Sequence, residues 1–168
     1  MPDHPDLRTG AVYGTGKREE NLRGYFAAIS AMDEQIGRLL DAVEEQGLAD
    51  NTVILFTADN GMSTGQHGVW GKGNGTFPMN MYDSAVKVPF LISWPGDIPA
   101  NTVCSEMISA CDLLPTILKL TGLSDKQPTG LPGRSFTELL EGRQLEHRDE
   151  VVIFDEYGPV RMIRTKEW

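Results

Sequence analysis

The sequence predicts an α/β layer, a helix packed on buried strands, and three observations carry that prediction. Apolar residues recur at spacings of three and four from about Asn21 to Glu45. The run TVILFTA follows a tight Asp50-Asn51 turn, and a second apolar run, VKVPFLISW, closes at Pro95-Gly96. A periodic helix alternating with short β-branched runs builds a sheet with helices on its faces.

In the first element Leu22, Tyr25, Phe26, Ile29, Met32, Ile36, Leu39, Leu40 and Val43 form one stripe, so this helix is expected to bury a face, with Gly47 as its stop. Asp33 interrupts the stripe and reads as a buried, hydrogen-bonded carboxylate at a helix contact. TVILFTA reads as a buried strand. Six of the 18 glycines fall in the fifteen residues from Gly61 to Gly75, which predicts a long loop rather than a regular element. Such loops are functional or disordered, and Trp70 and Phe77 favour function.

Pro89 places VKVPFLISW at a sheet edge or a bulge, and Trp94-Pro95-Gly96 reads as a packing residue and a turn. Asp112 to Gly122 predicts a helix capped by Asp112, tolerating Pro115 in its first turn and stopped by Gly122. A turn-rich stretch, 123–135, leads to a short helix from Phe136 to Leu140. Residues 151–154 and 160–164 then read as two strands joined by Asp-Glu-Tyr-Gly-Pro.

With 168 residues, 40% hydrophobic and 23% charged, the composition is that of an ordinary globular chain. A net charge of −9 argues against nucleic acid or an anionic membrane as partner, so any anionic substrate must meet local positive charge. Cys104 and Cys111, seven apart and without a histidine nearby, are expected to be two buried thiols rather than a zinc site or a disulfide framework. No run approaches the roughly 20 apolar residues of a membrane span, and MPDHPDLRTG has no apolar signal core. The compartment stays open. A polar start and an end inside the strand-like VRMIRTKEW predict a fragment. Asn74-Gly75-Thr76 matches a glycosylation sequon of the kind that arises by chance, and His4 and His147 read as exposed.

The chemistry gathers after the first strand. Asp59 and Asn60 stand where TVILFTA runs out, at the edge where open α/β sheets place ligands. Neighbouring strand residues point to opposite faces, so both oxygens reach one ion only if the backbone leaves strand geometry, which Gly61 permits. A carboxylate beside an amide carbonyl suits calcium or magnesium, although two ligands are far short of the six to eight, roughly, that calcium takes. Taken by itself Asp-Asn-Gly is also a favourable plain turn. In the same glycine-rich stretch Lys72 offers a point charge for a tetrahedral oxyanion, and His67 a hydrogen-bond donor or acid for a leaving oxygen. Each taken singly is also compatible with a solvated surface.

The order of these motifs is more specific than any of them. A strand ending in Asp-Asn-Gly, then Gly-x-His-Gly-x-Trp-Gly-Lys, then Tyr-Asp-x-x-x-Lys-Val-Pro-Phe-Leu-Ile-x-Trp-Pro-Gly, resembles the C-terminal part of the sulfatase family. Tyr25 to Leu40 is similar to the helix before that family's metal strand, Asp112-Leu-Leu-Pro-Thr to a later helix, and Val160 to Thr165 to its final strands. The resemblance implies an incomplete alkaline-phosphatase/sulfatase-like sandwich, a central sheet flanked by helices, plus the start of a small C-terminal sheet. It implies a polar segment at 1–20, the catalytic α/β part at 21–122 and the start of a C-terminal subdomain at 123–168.

It further implies a sulfuric ester hydrolase acting on a sulfate-ester small molecule or sulfated glycan. In the family, formylglycine made from a cysteine or serine attacks sulfur as its hydrate, and Ca2+ binds nucleophile and sulfate; Mg2+ is the alternative ion. Asp59 and Asn60 would match metal ligands and Lys72 the lysine on sulfate or the leaving oxygen, with His67 matching a histidine of some branches only. The departure is that the Cys/Ser-x-Pro/Ala-x-Arg nucleophile motif and an early pair of aspartates are absent from these residues, so the chain alone is expected to be inactive. Two other readings stay open: a phosphonate or phosphodiester hydrolase of the same superfamily, and a non-catalytic truncated homologue.

Overall fold

The computed structural model describes residues 8–9, 18–73, 76, 79–143, 148–155 and 160–167. His4, His147, Asn74 of the sequon, Phe77, most of the polar segment 1–20 and the turn residues 156–159 lie outside them.

Chain order is β1 (Arg8–Thr9), α1 (Arg18–Glu45), β2 (Ile54–Thr57), β3 (Ser63–Thr64), β4 (Val69–Gly71), α2 (Asp83–Val86), β5 (Phe90–Ser93), α3 (Leu113–Leu120), α4 (Thr137–Leu140), β6 (Glu150–Phe154) and β7 (Arg161–Thr165). Among the described residues three small sheets form, with orders β1-β4-β3, β2-β5 and β6-β7. The mixed α/β class is as expected. The chain divides into two compact units, 1–92 with 153–162 and 93–152 with 163–168.

Within the first unit α1 runs for 28 residues, about 42 Å at the rise of an α-helix. Glu19 and Glu20 in its first turn suit the positive end of the helix dipole. Its end follows from Gly47, which takes φ 66° so that Gly47 N–H reaches the Glu44 carbonyl at 2.9 Å and Leu48 N–H that of Val43 at 3.0 Å. The expected burial of its stripe is corrected by the structure. None of its residues is buried, with Phe26 58% and Leu39 67% exposed, and Asp33 is exposed as well. The periodicity is real, but among the described residues that face is covered only in part, with Leu22, Ile36 and Val43 half-buried.

The expected loop at 61–75 is corrected over residues 63–71, while 74 and 75 lie outside the described residues. Ser63-Thr64 pairs antiparallel with Trp70-Gly71, and β1 joins the other edge of β4 in parallel with Arg8 opposite Val69. The glycines therefore serve a tight reversal instead of a structureless loop: Gly65 N–H donates to Val69 O at 2.9 Å, and the Gln66 amide oxygen accepts from Thr64 N–H at 2.6 Å. Val69 and Trp70 are buried with Ala85 in this unit's core. β5 begins after Pro89, where the missing N–H removes no ladder bond.

The second unit is organised around one buried carboxylate. Asp112 stands at the N-cap position of α3 as expected, but its side chain makes no bond into that helix and instead closes the 3₁₀ turn Ala110–Asp112. Its fully buried carboxylate accepts from Ser109 N–H at 2.9 Å, Arg134 N–H at 2.8 Å and Arg148 Nε at 2.7 Å, and Arg148 Nη2 completes a bidentate pair. Thr116, also buried, donates to Asp112 O and accepts from Phe136 N–H, drawing the start of α4 onto α3. Gly122 at φ 71° ends α3 as Gly47 ends α1. Trp94, half-buried, lines a hollow with Ile98, Leu120 and Leu140, in keeping with a packing role. Cys104 and Cys111 are free and exposed, which corrects the expectation of buried thiols.

Burial alone would push the Asp112 carboxyl up, but the Arg148 guanidinium and the Arg134 and Ser109 amides outweigh it and hold it at about 2, below the usual 3.8. A depressed folded value means that this group's contribution is complete above pH 3.8 and is lost as pH falls through about 2. Asp112→Asn is expected to cost roughly 2 kcal/mol near neutral pH. Urea midpoints measured from about pH 6 down to about pH 2 should show the wild-type advantage closing only in the acidic part of that range.

Candidate active site

The site residues of the sequence all lie in the first unit, and one short segment touches most of what holds them. β2 ends at Thr57, and the chain bends at Asp59 and Asn60 immediately beyond it. Having left strand geometry, the two side chains meet: Asn60 Nδ2 donates to Asp59 Oδ1 at 2.9 Å. Asp59 is exposed and Asn60 half-buried. The turn is held by Gly61, whose N–H donates to Ala85 O at 2.9 Å. A Cβ built there would lie 2.1 Å from Ser84 O, so no residue but glycine fits without displacement.

Ser63, fully buried, hydrogen-bonds Ser84 through their hydroxyls at 2.8 Å, so β3 is anchored to the same short helix. Arg18, at the start of α1, donates from Nε to Thr64 O at 3.1 Å and braces the strand from the other end.

His67 sits in the reversal between β3 and β4 at φ 56° and ψ 20°, a left-handed conformation uncommon outside glycine. Its ring stacks on Tyr82, with centroids 3.9 Å apart and planes at 17°. Lys72 follows β4 directly and is half-buried. The next residue, Gly73, accepts at its carbonyl from Asn80 N–H at 3.2 Å and Thr76 Oγ1 at 3.0 Å. Buried Asn80 donates from Nδ2 to Thr76 Oγ1 at 2.7 Å and accepts from Tyr82 N–H at 3.2 Å.

Asp59 and Asn60 are therefore in direct contact, while segment 80–85 meets the His67 ring at Tyr82, the neighbour of Lys72 at Gly73 O and the end of the Asp59–Asn60 turn at Gly61 N–H. Sequence reasoning passed over Asn80, Tyr82 and Ser84 as site-building residues. The available signal was the Tyr82-Asp83 pair after the glycine-rich stretch, which locates the segment without giving its role.

As a cation site the pair has hard oxygen donors on adjacent residues, which fits calcium or magnesium in kind, although it is the Asn60 amide nitrogen rather than its oxygen that faces Asp59 Oδ1. It does not suffice in number. Among the described residues no group of three or more His, Cys, Asp or Glu side chains is placed to hold a metal.

The carboxylate–amide pair thus stands at a strand end, in the same unit as a glycine-rich turn that carries a lysine and a histidine. The chain belongs to the sulfatase family, whose model, described as Sulfatase, matches residues 3–123. It is 33% identical over 130 residues to an endo-4-O-sulfatase of Bacteroides thetaiotaomicron, covering 77% of this chain and 24% of that protein. It is 32% identical over 160 residues to a choline-sulfatase of Rhizobium meliloti, covering 89% of this chain and 29% of that one. A solved structure of BT4656 in complex with its substrate D-glucosamine-2-N,6-O-disulfate superposes with a TM-score of 0.77 at 30% identity, covering 93% of this chain and 33% of that chain. The chain thus spans a quarter to a third of the length of these relatives, and its fold is that of their alkaline-phosphatase-like class.

Gly61→Ala is expected to cost about 1–3 kcal/mol by overpacking against Ser84 O. Gly37→Ala in α1, where nothing lies within 4 Å, is expected to be neutral or to stabilise by up to about 1 kcal/mol. Urea denaturation of the two variants side by side checks both.

Proposed function

We propose that this chain supplies the C-terminal share of a sulfatase active site, residues 21–122 belonging to the catalytic α/β part and 123–168 to the start of a C-terminal subdomain. Asp59 and Asn60 are two ligands of a Ca2+ site, with Mg2+ the alternative, and Lys72 and His67 face the sulfate ester. The observation that carries this reading is the anchoring of the Asp59–Asn60 turn, the His67 ring and the Gly73 carbonyl next to Lys72 to the one segment 80–85.

When bound, the cation neutralises and orients the sulfate, the template and Lewis-acid roles of a hard divalent ion. Lys72 forms no ion pair among the described residues, so its ammonium is available to a sulfate oxygen or the leaving oxygen in a chain of net charge −9. His67 donates a hydrogen bond or a proton to the leaving oxygen, which bears the charge once the ester bond breaks. The nucleophile, a formylglycine, belongs to a part of the protein outside these 168 residues, because they contain no Cys/Ser-x-Pro/Ala-x-Arg sequence. The substrate class is a sulfate ester, either a small alcohol or a sulfated glycan. The names of the relatives, an endo-4-O-sulfatase and a choline-sulfatase, support both.

The 168-residue chain alone is expected to release no sulfate from aryl, choline or glycan sulfates. In the enzyme that carries it, Lys72→Ala is expected to lower kcat by about 100-fold or more, as removal of one oxyanion donor does. Asp59→Ala should raise the Ca2+ concentration needed for activity. Faster turnover of a phosphate diester than of the matched sulfate ester would favour the phosphodiester reading, and release of sulfate by the isolated chain would refute the proposed division of the site.

A further inference from the structure

We propose that Tyr82 is a positioning residue for His67, and that the ring stack carries the registration of the Asp59–Asn60 turn to the imidazole. The inference rests on the reading of His67 as a donor in a sulfatase site, and it adds a residue which that reading does not contain.

His67 lies on a reversal that leaves its side chain exposed, and its φ of 56° is one that a residue with a Cβ rarely adopts. Among the described residues its one ring contact is the Tyr82 face, at 3.9 Å and 17°. An exposed imidazole without such a face would sample several rotamers. Tyr82 is itself fixed by its backbone: its N–H donates to buried Asn80 Oδ1, and its carbonyl accepts from Ala85 N–H at 2.7 Å and Val86 N–H at 3.1 Å. Ala85 O in turn receives the Gly61 N–H, and Ser84 Oγ bonds the buried Ser63. The ring under His67 thus belongs to the peptide segment that sets the metal-ligand turn. Because contact is through the ring face, phenylalanine should replace tyrosine and a non-aromatic residue should not.

The test uses the full 168-residue chain as wild type, Tyr82→Phe and Tyr82→Leu. The imidazole protons of His67 are assigned by comparison with His67→Ala, and inorganic sulfate is the titrant. The indole resonance of Trp70 reports whether the β3-β4 turn is intact, and Leu keeps apolar bulk so that a non-aromatic variant can fold. Stacking predicts upfield, ring-current-shifted imidazole protons in wild type and Tyr82→Phe, returned to unstacked positions in Tyr82→Leu. Sulfate should move those resonances saturably in the first two and lose that effect in Tyr82→Leu. An imidazole signature and sulfate response unchanged in Tyr82→Leu would overturn the proposal. A ring-current signature that depends on Tyr82, with no sulfate response in any chain, would support positioning by Tyr82 and refute the sulfatase role of His67.

Discussion

The approach of Gly61 to the peptide of Ser84 and Ala85 constrains everything around the site. A strand cannot aim two neighbouring side chains at one point, so Asp59 and Asn60 can act together only if the chain turns beyond Ala58 and is kept turned. The Gly61 N–H bond to Ala85 O keeps it so, and the absent Cβ makes that bond sterically possible. Once α2 is held there, Ser84 reaches Ser63, Tyr82 comes beneath His67, and Asn80 takes up the backbone beyond Lys72. Polar contacts of this kind, more than apolar burial, shape the loops: among the described residues Ser63, Thr76 and Asn80 are buried there alongside the apolar Val69, Trp70 and Ala85. Buried hydrogen bonds are directional, so they fix geometry where a small apolar core would not.

The second unit follows the same logic with a charge in place of an amide. Asp112 is completely buried, a costly place for a carboxylate, and it remains ionised because two backbone amides and the Arg148 guanidinium converge on it. Those partners come from the 3₁₀ turn, from the segment before α4 and from the approach to β6, so one side chain joins three stretches far apart in sequence. It is a structural carboxylate, and no substrate chemistry is assigned to it.

Much of this was legible in the residues. Gly47 and Gly122 announced where two helices stop, because a left-handed turn after a helix is a local requirement that glycine meets. The strand before Asp59 and the place of Asp59 and Asn60 at its end were equally local. The misreadings concern what a residue meets across space. The α1 stripe was correctly periodic, but a period says that a face wants cover and not what provides it; Leu39 and Phe26 lie open in this chain, which spans a quarter to a third of its relatives. The Asp112 side chain looked like a helix cap because the partner that captures it, Arg148, is 36 residues away. The glycine-rich stretch looked like a loop because two- and three-residue strands leave no alternation to read. Tyr82 could not be singled out at all, since a stack on His67 depends on the turn that Gly61 makes.

The central claim is that the Asp59–Asn60 turn binds a hard divalent cation, and paramagnetic broadening by Mn2+, which shares oxygen ligands with Mg2+ and Ca2+, tests it most directly. Substoichiometric Mn2+ added to the isotopically labelled chain should broaden the amides of Asp59, Asn60 and Gly61 first, and Asp59→Ala should abolish that pattern. Broadening centred instead on acidic surface such as Asp41, Glu44 and Glu45, and unaltered by Asp59→Ala, would contradict the account.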